Sequence, residues 1–511
     1  MADILANEYS QRSNGVSADE SFNEHKKREE KNMISFPHTE PRKIYNKPFV
    51  MEELLFALEK SSSKAPGPDN IPTIFIKEVP LIKLTKLLGF YNFIWENGFP
   101  DQWRTAIVIP ILKTGKLATS VNSYRPIALT SCLCKVMERM VNARLQQFLE
   151  GEQYLARYQS GFRAGHSTMD ALARLESDVR KVLIQDEFCL TIFLDISQAF
   201  DTVWHHGILK KLKTMNLEGQ LPNFIQQFLL ERQIQVKNEG TLSQPYPLAA
   251  SVPQGAVLSP TLFNVMINDL FGGCPGGVEV SLYADDGALW VVGQDANCCG
   301  KIMQEAIYSL EQWSHTWGLH ISPEKTVAMM FNRKRKSPCP LLLLGGTQLE
   351  YVGSHKFLGM TLDRKLSWSK HILSLRDRCR KDLRILSIIS ARNWGADTIS
   401  ISRIYRSLIL PKLDYGSFLY STAAPTYLKM LDRIQYGAIR IILGALKCTR
   451  VDCLEAEANI MPLVYRRTEL LIRYIIRTLS ISLHPFSKLF KSYYHFRFYQ
   501  DSKLEECMNF F

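Results

Sequence analysis

The alternation of apolar and polar positions divides the chain into zones. Residues 1–45 are polar and charged, with few large apolar groups before Ile44, which predicts a flexible N-terminal tail without chemistry. Amphipathic signals begin at Phe49-Val50-Met51 and Leu54-Leu55. They stop at Ser61-Ser62-Ser63-Lys64-Ala65-Pro66-Gly67-Pro68-Asp69, where Pro and Gly force a loop. Helical patterning resumes from Phe90 to Trp95. Phe188–Leu194 is a continuous apolar run, too brief for a helix, and predicts a buried strand that ends in Asp195. Helices are expected over 203–215 and 260–271. Two apolar runs, 278–283 and 288–292, flank Ala284-Asp285-Asp286-Gly287, which predicts a hairpin with Asp-Gly at its tip. Ile302, Ala306, Leu310, Trp313 and Trp317 then recur at helical spacing, and 326–331 reads as another strand.

Strand, helix, two strands, helix, strand is the order of a split βαβ unit. It predicts an α+β fold with an antiparallel sheet and helices on one face. Beyond about residue 366 the pattern is almost wholly helical. Over 371–390 the stripe Ile372, Leu375, Cys379, Leu383 and Leu386 is apolar, while Arg376, Arg380 and Arg384 align on another face. Such a face is as often merely solvated as it is a binding surface.

Charge changes that balance. The net charge is +12, and residues 1–360 carry 37 basic and 37 acidic side chains against 25 and 13 in residues 361–511. The whole excess therefore lies in the helical last third, which favours a polyanionic partner there. The eleven cysteines show no paired spacing for zinc or disulfides, which fits a reduced, intracellular protein. No apolar run reaches the roughly 20 residues of a membrane span, so no membrane partner is expected. Arg333-Lys334-Arg335-Lys336 fits a solvated loop better than a nuclear-localisation patch, and the compartment stays open between nucleus and cytoplasm.

Taken singly, Asp-Asp-Gly is an ordinary turn sequence, and Asp195 would serve as well to cap a following helix. Together, acids on adjacent strands are what a phosphoryl-transfer site needs. Magnesium prefers carboxylate oxygens, and two such ions about 3.5–4 Å apart serve the nucleophile and the leaving group.

Neighbouring blocks sharpen this. Leu194-Asp195-Ile196-Ser197-Gln198-Ala199-Phe200-Asp201-Thr202-Val203 resembles motif A of reverse transcriptases in the form found in non-LTR (LINE-type) retrotransposons and group II introns. Val252-Pro253-Gln254-Gly255-Ala256-Val257-Leu258-Ser259-Pro260 is similar to motif B, and Tyr283-Ala284-Asp285-Asp286 to motif C. Ile109-Pro110-Ile111-Leu112-Lys113 and Ser123-Tyr124-Arg125-Pro126-Ile127-Ala128-Leu129 resemble the fingers motifs. Ile321-Ser322-Pro323-Glu324-Lys325-Thr326 and Phe357-Leu358-Gly359 resemble those that close the palm. Tyr415-Gly416, Arg433-Ile434-Gln435 and Pro462-Leu463 are similar to segments C-terminal to the palm in jockey-like and I-like elements.

The resemblance implies a right-hand polymerase: a flexible tail at 1–45, fingers and palm at 46–365, a basic helical thumb-like region at 366–480 and a C-terminal tail at 481–511. It implies an RNA-directed DNA polymerase that extends a 3′-hydroxyl DNA primer or target on an RNA template with deoxynucleoside triphosphates. Two Mg2+ ions would serve it, with Mn2+ as a substitute. Asp195 and Asp285 would bind both metals, and Asp286 would be a more loosely engaged third carboxylate. Phe200 would be the steric gate against a ribose 2′-hydroxyl. Gln254 and Gly255 would line the pocket, Lys113 and Arg125 would contact the triphosphate, and Lys325 would protonate the leaving pyrophosphate. Asp201 is left between metal contact and anchoring of the following helix. Ser251 and Ala256 stand where many relatives carry Gly and Ser. Two alternatives remain: a truncated, non-catalytic RNA-binding remnant of the same fold, or a metal-dependent nuclease.

Overall fold

The computed structural model describes residues 1–13, 20–37, 43–62, 65–334, 337–391 and 393–481. The expected C-terminal tail, from 482 onward, and Arg335-Lys336 of the basic run lie outside them. The chain divides into two compact units. One comprises 1–162, 194–275 and 305–325; the other comprises 163–193, 276–304 and 326–511.

The first unit is built on a small sheet. Strand Thr105–Leu112 pairs antiparallel with Tyr124–Leu129 and parallel with Arg232–Asn238, which in turn pairs with Thr241–Leu242 and Tyr246–Leu248. Ala106, Val108, Ala128, Ile234 and Val236 form its buried face. The expectation of a flexible N-terminal tail is overturned here. Ala2–Ser13 is a helix whose Leu5, Ala6 and Tyr9 pack into that same cluster. Leu5, Ala6 and Tyr9 fall at helical spacing, and burying a Leu or Tyr at about 1.5–3 kcal/mol each offsets the ordering of a short polar segment. Polar bonds fix its ends: Ser10 Oγ donates to the Pro247 carbonyl (2.7 Å), and the Gln244 amide donates to Asp3 (3.0 Å). A second helix, Glu20–Glu29, is followed by Glu30, which accepts from Trp204 Nε1 at 2.8 Å. Phe22 of that helix sits edge-on to the same indole.

The second unit holds a five-stranded sheet that adds Glu350–Tyr351 to the four predicted strands, in the order Glu350–Tyr351, Val327–Phe331, Phe188–Leu194, Asp286–Gly293, Val278–Tyr283. Leu194, the last residue of its central strand, is counted with the first unit. The sheet is not purely antiparallel, because Glu350–Tyr351 runs parallel to Val327–Ala328. Helix Thr168–Gln185 lays Leu172, Leu175, Val179 and Val182 into a core shared with Phe193, Trp290 and Phe331. Trp290 Nε1 finds a partner in Asp178 (3.2 Å), as a buried indole N–H requires. The same core continues into helices Ser369–Ile389, Pro425–Leu443 and Leu463–Ser480. Ile372, Leu375, Cys379 and Leu386 are buried as the stripe predicts, and Leu383 is half-buried. Arg380 and Arg384 face solvent, whereas Arg376 is half-buried beside Asp377. No helix among the described residues is long and apolar enough to cross a membrane.

Candidate active site

In the first unit, Asp195 immediately follows strand Phe188–Leu194, and its surroundings are tied down by backbone bonds. The Ser322 amide donates to the Asp195 carbonyl (2.9 Å), and the Ser197 amide donates to the His320 carbonyl (2.9 Å). The half-exposed Asp195 carboxylate accepts from Lys325 Nζ at 3.2 Å, so those two predicted residues are together. An ion pair this exposed adds at most about 1 kcal/mol of stability.

The segments resembling motifs A and B lie side by side. The Val252 amide donates to the Phe200 carbonyl (2.9 Å), and the Ser251 amide to the Val203 carbonyl (3.0 Å). Gln254 Nε2 donates to Asp201 Oδ1 at 2.8 Å. This gives Asp201 a positioning role towards Gln254. Burial raises the Asp201 carboxyl above its ordinary pKa, while Gln254, Arg12 and Lys113 pull it back. Phe200 is half-buried and stacks on Phe263 at 4.4 Å and 16°, with Phe162 edge-on at 6.2 Å. The ring therefore has a fixed plane.

Gly255 has φ +130°, and a Cβ there would lie 2.5 Å from the Ala128 carbonyl oxygen. Only glycine fits, because the Ala128 amide also donates to the Gln254 carbonyl (2.7 Å) and pulls strand Tyr124–Leu129 against the loop. Ser251 occupies φ +104°, a region that nearly excludes side-chain-bearing residues.

Of the predicted cations, Arg125 stands on strand Tyr124–Leu129 and Lys113 directly follows strand Thr105–Leu112. Arg125 is exposed and in register with Ile111. Lys113 Nζ donates to the Asn122 carbonyl (3.0 Å). Burial lowers the Lys113 pKa, with further lowering from Arg125, Arg12 and Lys325.

Two residues went unnoticed in the sequence. Glu138, wholly buried on helix Cys132–Gly151, accepts from the amides of Val257 (2.6 Å) and Leu258 (3.1 Å) and so holds the loop after Gly255. Nothing in its sequence neighbourhood marks it. Arg12 donates to Asn122 Oδ1 at 2.8 Å; the spacing of Leu5, Ala6 and Tyr9 was the available signal.

In the second unit, Asp285 and Asp286 lie in the turn between Val278–Tyr283 and Asp286–Gly293. The predicted tip is corrected: Tyr283 pairs with Asp286 and Leu282 with Gly287, so the two loop residues are Ala284 and Asp285. Ala284 takes the left-handed conformation (φ +56°) that Gly287 had been expected to supply. Asp285 is half-buried and Asp286 exposed.

The acids offer the hard oxygen donors that magnesium prefers. Among the described residues, however, no three His, Cys, Asp or Glu side chains gather closely enough to hold a metal by themselves. The donors fit such an ion in kind, and its shell would need substrate phosphate oxygens and water besides.

The family described as reverse transcriptase (RNA-dependent DNA polymerase) matches residues 111–362. The chain is 34% identical over 430 residues to the RNA-directed DNA polymerase from mobile element jockey of Drosophila melanogaster, covering 83% of this chain and 46% of that protein. It is 31% identical over 428 residues to the probable RNA-directed DNA polymerase from transposon BS of the same species, covering 81% and 47%. The chain thus spans about half the length of these relatives. Among solved structures, an apo telomerase from Candida tropicalis is similar over 55% of this chain and 58% of its own, at 13% identity and a TM-score of 0.37.

Proposed function

We propose, from the match of residues 111–362 to the reverse transcriptase family and the likeness to the jockey and BS proteins, that the chain is an RNA-directed DNA polymerase of a non-LTR retrotransposon. The observation that carries the reading is sheet order. The strand running directly into Asp195 neighbours the strand that begins at Asp286. Reverse transcriptases generally use divalent metal ions; here we assign two Mg2+, held by Asp195 and Asp285 with Asp286 as the third carboxylate. When bound, such ions make the primer 3′-hydroxyl a better nucleophile and neutralise the departing pyrophosphate.

The remaining residues bind, orient and exclude. Phe200, its plane fixed by Phe263, would exclude a ribose 2′-hydroxyl and select deoxynucleotides. Gln254, oriented by Asp201, and Gly255, which brings backbone close, would floor the nucleotide pocket. Lys113 and Arg125 would bind the triphosphate. Lys325, beside Asp195, would hold the proton that goes to pyrophosphate. In this reading 46–365 are fingers and palm, and 366–480 are the basic thumb that grips the template–primer duplex through its phosphates. Primer extension on an RNA template with deoxynucleotides and Mg2+ tests it. Extension by the wild type and its loss in Asp195→Asn are expected; equal incorporation by both proteins refutes it.

A further inference from the structure

The N-terminal helix Ala2–Ser13 lies outside every block that resembles a polymerase motif and outside the matched residues 111–362. Its last turn nevertheless brings a cation to the residue that Lys113 also engages. The Arg12 side chain is only 8% exposed, and Nη2 donates to Asn122 Oδ1 at 2.8 Å. Lys113 Nζ donates to the backbone carbonyl of the same Asn122 at 3.0 Å. Two cations on separate elements thus converge on one residue. The acids nearest them are Glu8, 3.3 Å from Arg12 and 40% exposed, and Asp201, whose carboxylate is already engaged by Gln254. Like charges brought together in a partly buried place are unfavourable unless an anion joins them.

Arg12 also lines a cavity of about 160 Å³ with Lys26, Ser197, Gln198, Thr202 and His320, walled in part by Phe22 and Trp204, and so links that cavity through Asn122 to Lys113, which lies outside its lining. Ser197 and Gln198 come two and three residues after Asp195, so this wall belongs to the loop that carries the metal-binding acid. The mix of two cations with hydroxyl, amide and imidazole donors suits several phosphate oxygens at once. A polynucleotide backbone needs an open track along which successive phosphates can run, whereas a cavity of this size suits a short polyphosphate.

We propose that Arg12 is a further substrate-binding residue of this polymerase, holding with Lys113 the polyphosphate tail of the incoming nucleotide. The inference rests on the proposed function, because it supposes that a nucleoside triphosphate is the substrate. Arg12 would hold the end of the triphosphate remote from the sugar, and Glu8 would temper its charge between turnovers.

Inorganic tripolyphosphate titrated calorimetrically into the full chain, in magnesium buffer without nucleic acid, tests this. Wild type is expected to bind. Arg12→Gln should weaken binding on the order of tenfold, the loss of one charge-assisted contact. Glu8→Gln, which frees Arg12 from its counter-charge, should tighten binding. A merely structural role for Arg12 would make both variants weaken binding, since both lose the same Arg12–Glu8 pair. No binding by wild type, no change in Arg12→Gln, or shifts of the same sign in the two variants overturn the proposal. In primer extension, Arg12→Gln should raise KM for deoxynucleotides more than it lowers kcat, and an unchanged KM counts against it. The two readings fail separately. Absence of extension by wild type overturns the polymerase and leaves the titration standing, whereas extension with an unresponsive titration overturns this inference alone.

Discussion

Ser251 carries a side chain on a backbone at φ +104°, where glycine alone is unstrained. The cost has to be met by the surrounding bonds: its amide donates to Val203 (3.0 Å), and its carbonyl meets the Nε2 of buried His205 (2.7 Å). Ser251→Gly should therefore stabilise the protein by about 1–2 kcal/mol, read as a raised urea midpoint at unchanged slope. A lowered midpoint would show that the hydroxyl makes a contact worth more than the strain. His205 makes the site sensitive to acid. Burial depresses its pKa to about 4 from an ordinary 6.5. Between those values the unfolded chain binds the extra proton, so this contribution is intact above about pH 6.5 and is lost as pH falls towards 4. The loss approaches roughly 3 kcal/mol. His205→Gln should flatten the fall in stability between pH 6.5 and 4; an unaltered slope would place the dependence elsewhere. At this scale two backbone positions were readable. Gly255 and the departure at Ser251 stood out against a motif pattern, and each has a backbone reason. Glu138 did not, because a buried acid among helical residues looks like any solvated one until the amides it accepts from are folded against it.

Among the elements, the strands that flank the acids were the easiest to foresee. Phe188–Leu194 and Val278–Tyr283 have the predicted bounds, since continuous apolar runs bounded by turns leave little choice. The hairpin tip was misplaced because Asp-Gly is a strong turn signal, yet pairing of Tyr283 with Asp286 shortens the loop and puts Ala284 in the left-handed position. The helix Ala2–Ser13 was missed for another reason: its apolar stripe is short, and its stability comes from a sheet assembled from distant residues such as Ile234 and Val236. Leu5→Ala should thus destabilise this helix by about 2–5 kcal/mol, seen as accelerated amide exchange over residues 2–13. A free tail would exchange equally fast in both proteins. On Ser369–Ile389, Arg380 and Arg384 are, with Arg378, open to a phosphate backbone. Joint replacement of Arg380 and Arg384 by Ala should reduce the log–log salt slope of RNA–DNA duplex binding by about one to two, and Arg376→Ala should change it less. Equal effects from Arg376, Arg380 and Arg384 would mean that the ion pair with Asp377 is not holding Arg376 back.

For the molecule as a whole, charge and pattern agreed with the folded outcome. The neutral first 360 residues supply the two five-stranded sheets, and the basic remainder adds helices to the core of the second unit. What sequence order hid was how the units are woven. Each is assembled from three separate stretches, and the chain passes from one to the other after residues 162, 193, 275, 304 and 325. During synthesis, the first unit cannot finish until residue 325 has left the ribosome, by which time two stretches of the second have already emerged as unfinished strands. Neither unit can be cut out of the gene as a continuous piece. A fragment ending at residue 275 should accumulate as aggregate, whereas the same boundary in a chain built of successive domains would yield a soluble product. A soluble, cooperatively unfolding 1–275 fragment would contradict this. Such weaving makes a broken chain a mute one: a stop anywhere before residue 325 leaves no lesser version of the fold, only a product that can close neither of its cores.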